Sequence, residues 1–134
     1  MDKKPPALDS QLVNEIVLKA HGDFKRVMAL IEQEPALVNA VWDWGGGDWE
    51  TPLGSAAHMG RRDIAEYLLA HGARLDLFAA AMLGKLEIVK PILAAFPDMK
   101  DAKGPHGIPL LVHAQQGKAE ATAVVEFLQT LSRD

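Results

Sequence analysis

Cysteine is absent from this chain of 134 residues. Its absence excludes a disulfide framework, a thiolate metal site and a cysteine nucleophile. Basic residues are also few, since 14 lysines and arginines face 18 aspartates and glutamates and give a formal charge of -4 at pH 7. The scattered positive charges provide no basic field that would release counterions from nucleic acid. A nucleic-acid partner is therefore not expected.

Long apolar runs are missing as well. Residues 1–9 are charged and contain proline, and they lack the apolar core of a signal peptide. No uninterrupted apolar run reaches the length that spans a bilayer. A soluble, cytoplasmic protein without a membrane partner is the expectation from these features.

Sequence motifs of enzymes do not occur either. Ser55 does not lie in a G-x-S-x-G elbow, and no serine has a base and an orienting acid evident in the sequence. The glycines at 45–47 are not followed by Lys-Ser or Lys-Thr, so there is no P-loop, and G-x-G-x-x-G is absent. We therefore predict a protein that is not an enzyme and that carries no cofactor.

Metal-binding patterns are equally weak. None of the five histidines forms the H-x-x-x-H or H-E-x-x-H spacing that places two imidazoles on one helix face. Asp43, Asp48 and Glu50 lie among loop glycines, but their spacing does not match an EF-hand. We expect these acids to solvate the loop, with calcium binding as the less favoured alternative, and we predict no metal site.

A recurring glycine turn is the main positive feature of the chain. Glycines at 22, 60, 84 and 117 each end a helix-like run and precede a second run of helical apolar spacing. Recurrence at steps of a few tens of residues indicates a stack of similar units around a shared core. At this length the units are expected to form a single domain.

The clearest unit covers residues 51–76. It begins with Thr-Pro-Leu at 51–53, where threonine suits a helix N-cap and proline suits the first helical turn. The small side chains of Ala56 and Ala57 would let two helices approach closely, and Gly72 suits a left-handed helix stop.

This unit resembles the ankyrin repeat, which usually begins Thr-Pro-Leu-His and continues with two alanines, a glycine turn and a leucine- and valine-rich second helix. Gly54 replaces the histidine of that pattern, so the role of the histidine is not carried over. Weaker resemblance extends over about residues 10 to 131. It implies an all-α solenoid of about four helix-turn-helix units in one domain, 1–134, with approximate unit bounds of 10–40, 51–76, 77–99 and 108–131.

Ankyrin units usually carry a projecting finger loop ahead of the next Thr-Pro-Leu. Gly60 and Gly84 are only 24 residues apart, against a usual repeat of about 33, which predicts that one finger is missing. The finger before it is enlarged, at residues 41–50, and the finger after it spans residues 98–107. We therefore expect two irregular finger loops with a notch between them, above the first helix of the third unit.

All three tryptophans of the chain, Trp42, Trp44 and Trp49, lie in the enlarged finger. Large aromatic side chains in a loop of glycine and aspartate are typical of a recognition surface. The alternative is that Trp42 and Trp49 pack the loop onto the helices beneath it.

Histidine and methionine side chains are expected to complete the walls of the notch. His58 would border it from the first helix of its unit, His106 would approach from the opposite finger, and Met82 would lie at its base. His113 is expected to be a hydrogen-bonded core histidine instead, while His21 and His71 are expected near helix ends, capped or exposed to solvent.

The resemblance implies a function in binding proteins. We predict a module that recognises a partner peptide or loop on its concave face, through the candidate residues Trp42, Trp44, Trp49, His58, Met82 and His106. One alternative is a small-molecule or peptide-terminus pocket in the notch between the tryptophan-rich finger and the loop 104–107. Weak self-association through exposed aromatics is a further alternative.

Overall fold

The computed structural model describes residues 4–131 of the chain. The prediction of a mostly helical protein is confirmed, because α-helices dominate the described residues. The helices form four consecutive pairs: α1 (Ser10–Lys19) and α2 (Phe24–Gln33), α3 (Pro52–His58) and α4 (Arg62–Ala70), α5 (Leu77–Met82) and α6 (Leu86–Ala95), and α7 (Leu110–Gln116) and α8 (Thr122–Leu131).

Shorter elements lie between these helices. Short 3-10 segments occupy Pro35–Asn39, Pro97–Asp101, Pro105–Gly107 and Lys118–Ala121. Two strands, β1 (Trp42–Asp43) and β2 (Trp49–Glu50), pair antiparallel as a hairpin between the first and second helix pairs. Residues 71–76, which join α4 to α5, contain no strand.

Polar side chains start several of the helices. The side chains of Asp9, Asp23, Thr51 and Asp76 each accept a hydrogen bond from a backbone N–H in the first turn of the helix that follows. Such caps satisfy donors that have no partner within the helix. The N-cap role predicted for Thr51 is therefore confirmed.

The helices of each pair contact one another, and α1, α3, α5 and α7 contact in that order. One group of buried apolar residues lies mainly among α1 to α4, and a second lies among α5 to α8. Helix α5 joins the two groups, since Ala79 belongs to the first while Ala80 and Ala81 belong to the second. Within residues 4–131, no helix combines the length and the apolar character that crossing a bilayer requires.

The small side chain of Ala57 lets α3 pack closely against the neighbouring helices. Its side chain is fully buried, and α3 contacts α1, α4, α5 and α7. We expect Ala57→Leu to lower the free energy of unfolding by about 1–3 kcal/mol, because added methylenes overpack a filled core. Ala70→Leu, at an exposed position of α4, is the control and should change it by less than about 0.5 kcal/mol. Equal denaturation midpoints for the two variants would contradict this packing.

Candidate functional site

The hairpin places a carboxylate in the interior of the protein. Trp49 and Glu50 are neighbours on β2, and successive side chains of a strand point to opposite faces. Trp49 accordingly faces solvent, with 59% of its surface exposed, whereas Glu50 is 1% exposed. The expectation that Glu50 solvates the loop is therefore wrong.

Three histidines from separate elements surround this carboxylate. The distance from Glu50 Oε1 is 3.3 Å to Nε2 of His21 and 3.4 Å to Nε2 of His106. Nε2 of His58 lies 2.9 Å from Glu50 Oε2. Potential ligand atoms of all four residues lie within 4.8 Å of one another. We call His21, Glu50, His58 and His106 the His–Glu cluster.

Two of these rings are held from behind by hydrogen bonds of their other nitrogen. Nδ1 of His21, just beyond the end of α1, lies 3.0 Å from the carbonyl oxygens of Val17 and Leu18. Nδ1 of His106 lies 2.7 Å from Asp48 Oδ2, and the backbone N–H of His106 donates to Asp48 Oδ1. An acceptor at Nδ1 favours the tautomer with its proton there, which leaves Nε2 directed at the cluster.

Backbone conformation also positions His106. It has a φ of 60°, in the left-handed region that residues other than glycine rarely adopt. This conformation occurs in the short turn Pro105–Gly107 and is accompanied by both hydrogen bonds to Asp48. Strain of this kind persists only where the surroundings determine it, and it is frequent at functional sites.

Trp44 completes the surroundings of Glu50. Its indole Nε1–H donates to Glu50 Oε1 at 2.9 Å, and its ring makes an edge contact with His21. In contrast, Glu50 Oε2 and His58 Nε2 are close without hydrogen-bond geometry, and neither atom has a hydrogen-bond partner among the described residues. Oε1 of the buried carboxylate thus accepts a hydrogen bond, whereas Oε2 does not.

The charges of the cluster are coupled. Burial alone would raise the pKa of Glu50, but the histidines His21 and His58 and the indole of Trp44 outweigh burial and hold the pKa well below its usual range. The Glu50 carboxylate in turn raises the pKa of His21. Glu50 is therefore an anion at neutral pH, and the imidazole of His21, 3.3 Å away, is a candidate counter-ion.

The predicted notch between the two loops is bridged in the structure. His106, from the turn after the third helix pair, contacts both Asp48 and Glu50 of the hairpin. Gly54 lies beside this contact, and a Cβ there would lie at van der Waals distance from Pro105, 3.4 Å, and from Glu50, 3.6 Å. The expectation of an open gap is therefore wrong: the loops meet, and polar side chains fill the space.

The other predicted binding residues occupy different places. Met82 is fully buried in the core, which corrects its placement at the base of a binding surface. Trp42 and Trp44 are half-buried and pack against the first apolar group, whereas Trp49 is exposed. The alternative that Trp42 packs the loop onto the protein is confirmed, but Trp49 does not pack in that way.

Two histidines stay outside the cluster. His113 is fully buried and its Nδ1 lies 2.9 Å from the carbonyl oxygen of Pro109, which confirms the prediction of a hydrogen-bonded core histidine. His71 follows α4, and its Nδ1 lies 2.8 Å from the carbonyl oxygen of Tyr67. His71 therefore caps its helix in the same way as His21 does.

Sequence reasoning missed His21 and Glu50 as site residues. His21 was expected only near a helix end, and Glu50 was grouped with the loop acids. No motif relates these residues to His58 or His106, because each comes from a different element of the fold.

A second feature lies on the outer side of the hairpin. A cavity of about 390 Å³, which we call the hairpin recess, is lined by Leu8, Ser10, Val13, Val41, Trp42, Asp43 and Trp49. Val41 is 45% exposed and Trp49 is 59% exposed. A larger cavity, of about 560 Å³, lies along α6, away from the hairpin, and is lined by Leu86, Glu87, Lys90, Pro91 and Ala94.

Comparison with known proteins identifies one segment of the chain. Residues 48–78, which include β2, α3, α4 and the start of α5, match the family model of the ankyrin repeat. No curated protein matches the sequence.

Proposed function

We propose that the chain, in which residues 48–78 match the family model of the ankyrin repeat, is a binding module that holds a short segment of a partner protein in the hairpin recess. Ankyrin repeats in general mediate interactions between proteins. The observation that carries the proposal is the exposed ring of Trp49 beside a cavity lined mainly by apolar side chains. Tryptophan is among the residues that most often dominate binding energy at interfaces.

The chemistry of the recess favours a peptide with an apolar anchor side chain. Trp42, Val13 and Val41 supply apolar surface, while Ser10 and Asp43 supply the polar groups of its lining. The side chain of Asp43 also accepts hydrogen bonds from the backbone N–H groups of Gly45 and Gly47, so the hairpin turn is held in shape. A preformed recess loses little conformational entropy when it binds.

The architecture that we propose for this module is a solenoid. Consecutive contacts among α1, α3, α5 and α7 support a stack of four helix pairs, with units near 10–40, 51–76, 77–99 and 108–131 of a single domain, 1–134. In this arrangement the hairpin takes the place of an enlarged finger. The recognition surface that we propose lies on the outer side of that finger and not in the notch.

The remaining predicted binding residues support the surface without touching the peptide. Trp44, His58 and His106 face Glu50, and they hold the hairpin against the helices. The alternative of a small-molecule or peptide-terminus pocket between the two loops has less support, because the loops contact each other. Self-association through Trp49 is a separate alternative, and a monomer mass that is independent of concentration in light scattering would argue against it.

Selection from a displayed library of random peptides tests the proposal. We expect wild-type protein to enrich peptides that share a large apolar residue, and Trp49→Ala to bind a selected peptide at least tenfold more weakly, a loss of about 1.4 kcal/mol. Phe96→Ala is the matched control, because Phe96 is 67% exposed but does not line the recess. The affinity of this variant for the selected peptide should equal that of wild type.

Fluorescence anisotropy with one labelled selected peptide provides the affinities, and circular dichroism checks that the variants stay folded. Equal affinity for Trp49→Ala and wild type would overturn the proposed surface. So would an equal loss in both variants, because it would indicate nonspecific adhesion to exposed aromatic rings.

A further inference from the structure

We propose that the His–Glu cluster is a zinc site, in which Nε2 of His21, His58 and His106 and the carboxylate of Glu50 bind one Zn²⁺ ion. The site goes beyond the proposed peptide binding and does not depend on it. Three imidazole nitrogens and one carboxylate oxygen are a donor set that Zn²⁺ accepts in tetrahedral geometry. The absence of cysteine leaves imidazole and carboxylate as the side chains best suited to such a site.

The spacing of the donor atoms suits this ion. Zinc–nitrogen bonds of about 2.0–2.1 Å place neighbouring tetrahedral ligands about 3.3 Å apart. In the structure, Nε2 of His21 and Nε2 of His106 lie 3.3 and 3.4 Å from Glu50 Oε1, and Nε2 of His58 lies 2.9 Å from Glu50 Oε2. No pair among the four chosen ligand atoms exceeds 4.8 Å, so modest side-chain movements complete the tetrahedron.

Two buried atoms lack the partner that an ion would supply. Glu50 is 1% exposed, and its Oε2 makes no hydrogen bond to any described residue. His58 Nε2 faces it at 2.9 Å, also without a hydrogen bond, and the His58 side chain is only 9% exposed. Leaving buried polar atoms unsatisfied is unfavourable. A cation bound to both would satisfy them together.

The atoms behind two of the three histidines are arranged as they are in zinc sites. Histidines that bind metals almost always donate their other N–H to a carbonyl or a carboxylate, which orients the ring. Backbone carbonyl oxygens accept from His21 and the Asp48 carboxylate accepts from His106 in this way. Asp48 contacts the Nδ1 and the backbone N–H of His106. A carboxylate that only solvated the loop would face water instead.

Four protein ligands and a buried carboxylate indicate a structural zinc site rather than a catalytic one, since catalytic zinc keeps a position open for water. The ion would join the end of α1, strand β2, helix α3 and the turn Pro105–Gly107. It would thereby fix the hairpin to the helices and the two loops to each other.

Isothermal titration of the purified full-length protein with ZnCl₂ tests the site, after metal removal with a chelator and exchange into a non-coordinating buffer. We expect a stoichiometry of one ion per chain and a melting temperature that rises with zinc concentration. Replacement of Zn²⁺ by Co²⁺ should give the visible absorption of a tetrahedral cobalt site.

Two histidine variants distinguish the loss of a zinc ligand from the loss of a helix cap. His21→Ala and His71→Ala each remove a ring whose Nδ1 contacts the end of its own helix, but only His21 belongs to the cluster. We expect zinc affinity to fall at least tenfold in His21→Ala and to stay within twofold of wild type in His71→Ala. If His21→Ala does not fold, His106→Ala takes its place, because the His106 side chain is 35% exposed.

Absence of saturable zinc binding by the folded wild type would overturn the proposal and leave the cluster as an internal ion pair. Binding that is unchanged in the cluster variant, or equally weakened in His71→Ala, would also overturn it. Peptide selection in metal-free buffer is a separate measurement, so failure of the zinc site and failure of the recess are distinguishable.

Discussion

Replacing Glu50 by alanine is expected to lower the free energy of unfolding by about 3 kcal/mol in metal-free buffer. The variant loses the acceptor of the Trp44 indole N–H and the buried anion beside His21 and His58. Removal of one partner from a buried charged group is costly, because the remaining polar atoms stay desolvated without compensation. Chemical denaturation of the chelator-treated protein, followed by circular dichroism, measures the loss.

Glu15→Ala is the matched control for this experiment. Glu15 accepts two hydrogen bonds from the Arg26 guanidinium, at 2.6 and 2.9 Å, so it has a better-formed ion pair than Glu50. Both side chains of that pair are partly open to solvent, at 30% and 40% exposure, and such pairs contribute little to stability. A loss for Glu15→Ala as large as that for Glu50→Ala would mean that burial does not control the energetics of the cluster.

Replacing Gly84 by alanine is expected to lower the free energy of unfolding by about 3 kcal/mol or more. Gly84 ends the first helix of the third pair with a φ of 77°, a left-handed conformation that is unfavourable for alanine. An added Cβ would also overlap the backbone carbonyl of Glu120, in the 3-10 segment before α8. Backbone atoms cannot move aside as the end of a flexible side chain does.

Gly72→Ala separates these two effects. Gly72 has a φ of 96°, but a Cβ at this position has no neighbouring atom within 4 Å. The variant should therefore lose only the conformational contribution, about 1–2 kcal/mol. If thermal or chemical denaturation shows the same loss for both glycines, the close contact between the third and fourth helix pairs is not energetically important.

Local patterns predicted much of the helical structure. Thr51 and Pro52 marked the start of α3, and the structure has Thr51 as N-cap and Pro52 in the first turn. Gly60 and Gly84 marked turns and both have positive φ. These signals act within a few residues, because capping, proline geometry and left-handed glycines depend mainly on the adjacent backbone.

The candidate site was predicted only in part. His58 and His106 were expected to border the same notch, and their ring centroids lie 5.4 Å apart, but the gap expected between the loops is closed. Met82 was misplaced because helical spacing alone did not show whether its side chain faces a loop or the core. Glu50 was misassigned because a carboxylate among loop residues normally faces water, and here strand alternation with the exposed Trp49 turns it inward.

The order of the amino acids was sufficient to predict paired helices, the N-cap at Thr51, small alanines at close contacts and the resemblance to the ankyrin repeat, whose family model matches residues 48–78. Each of these depends on short-range geometry or on a repeated pattern. Convergence of His21, Glu50, His58 and His106 depended on the packed structure alone. Those residues come from four different elements, and only the stacking of the helix pairs, the pleat of the hairpin and the left-handed turn at His106 bring their polar atoms together.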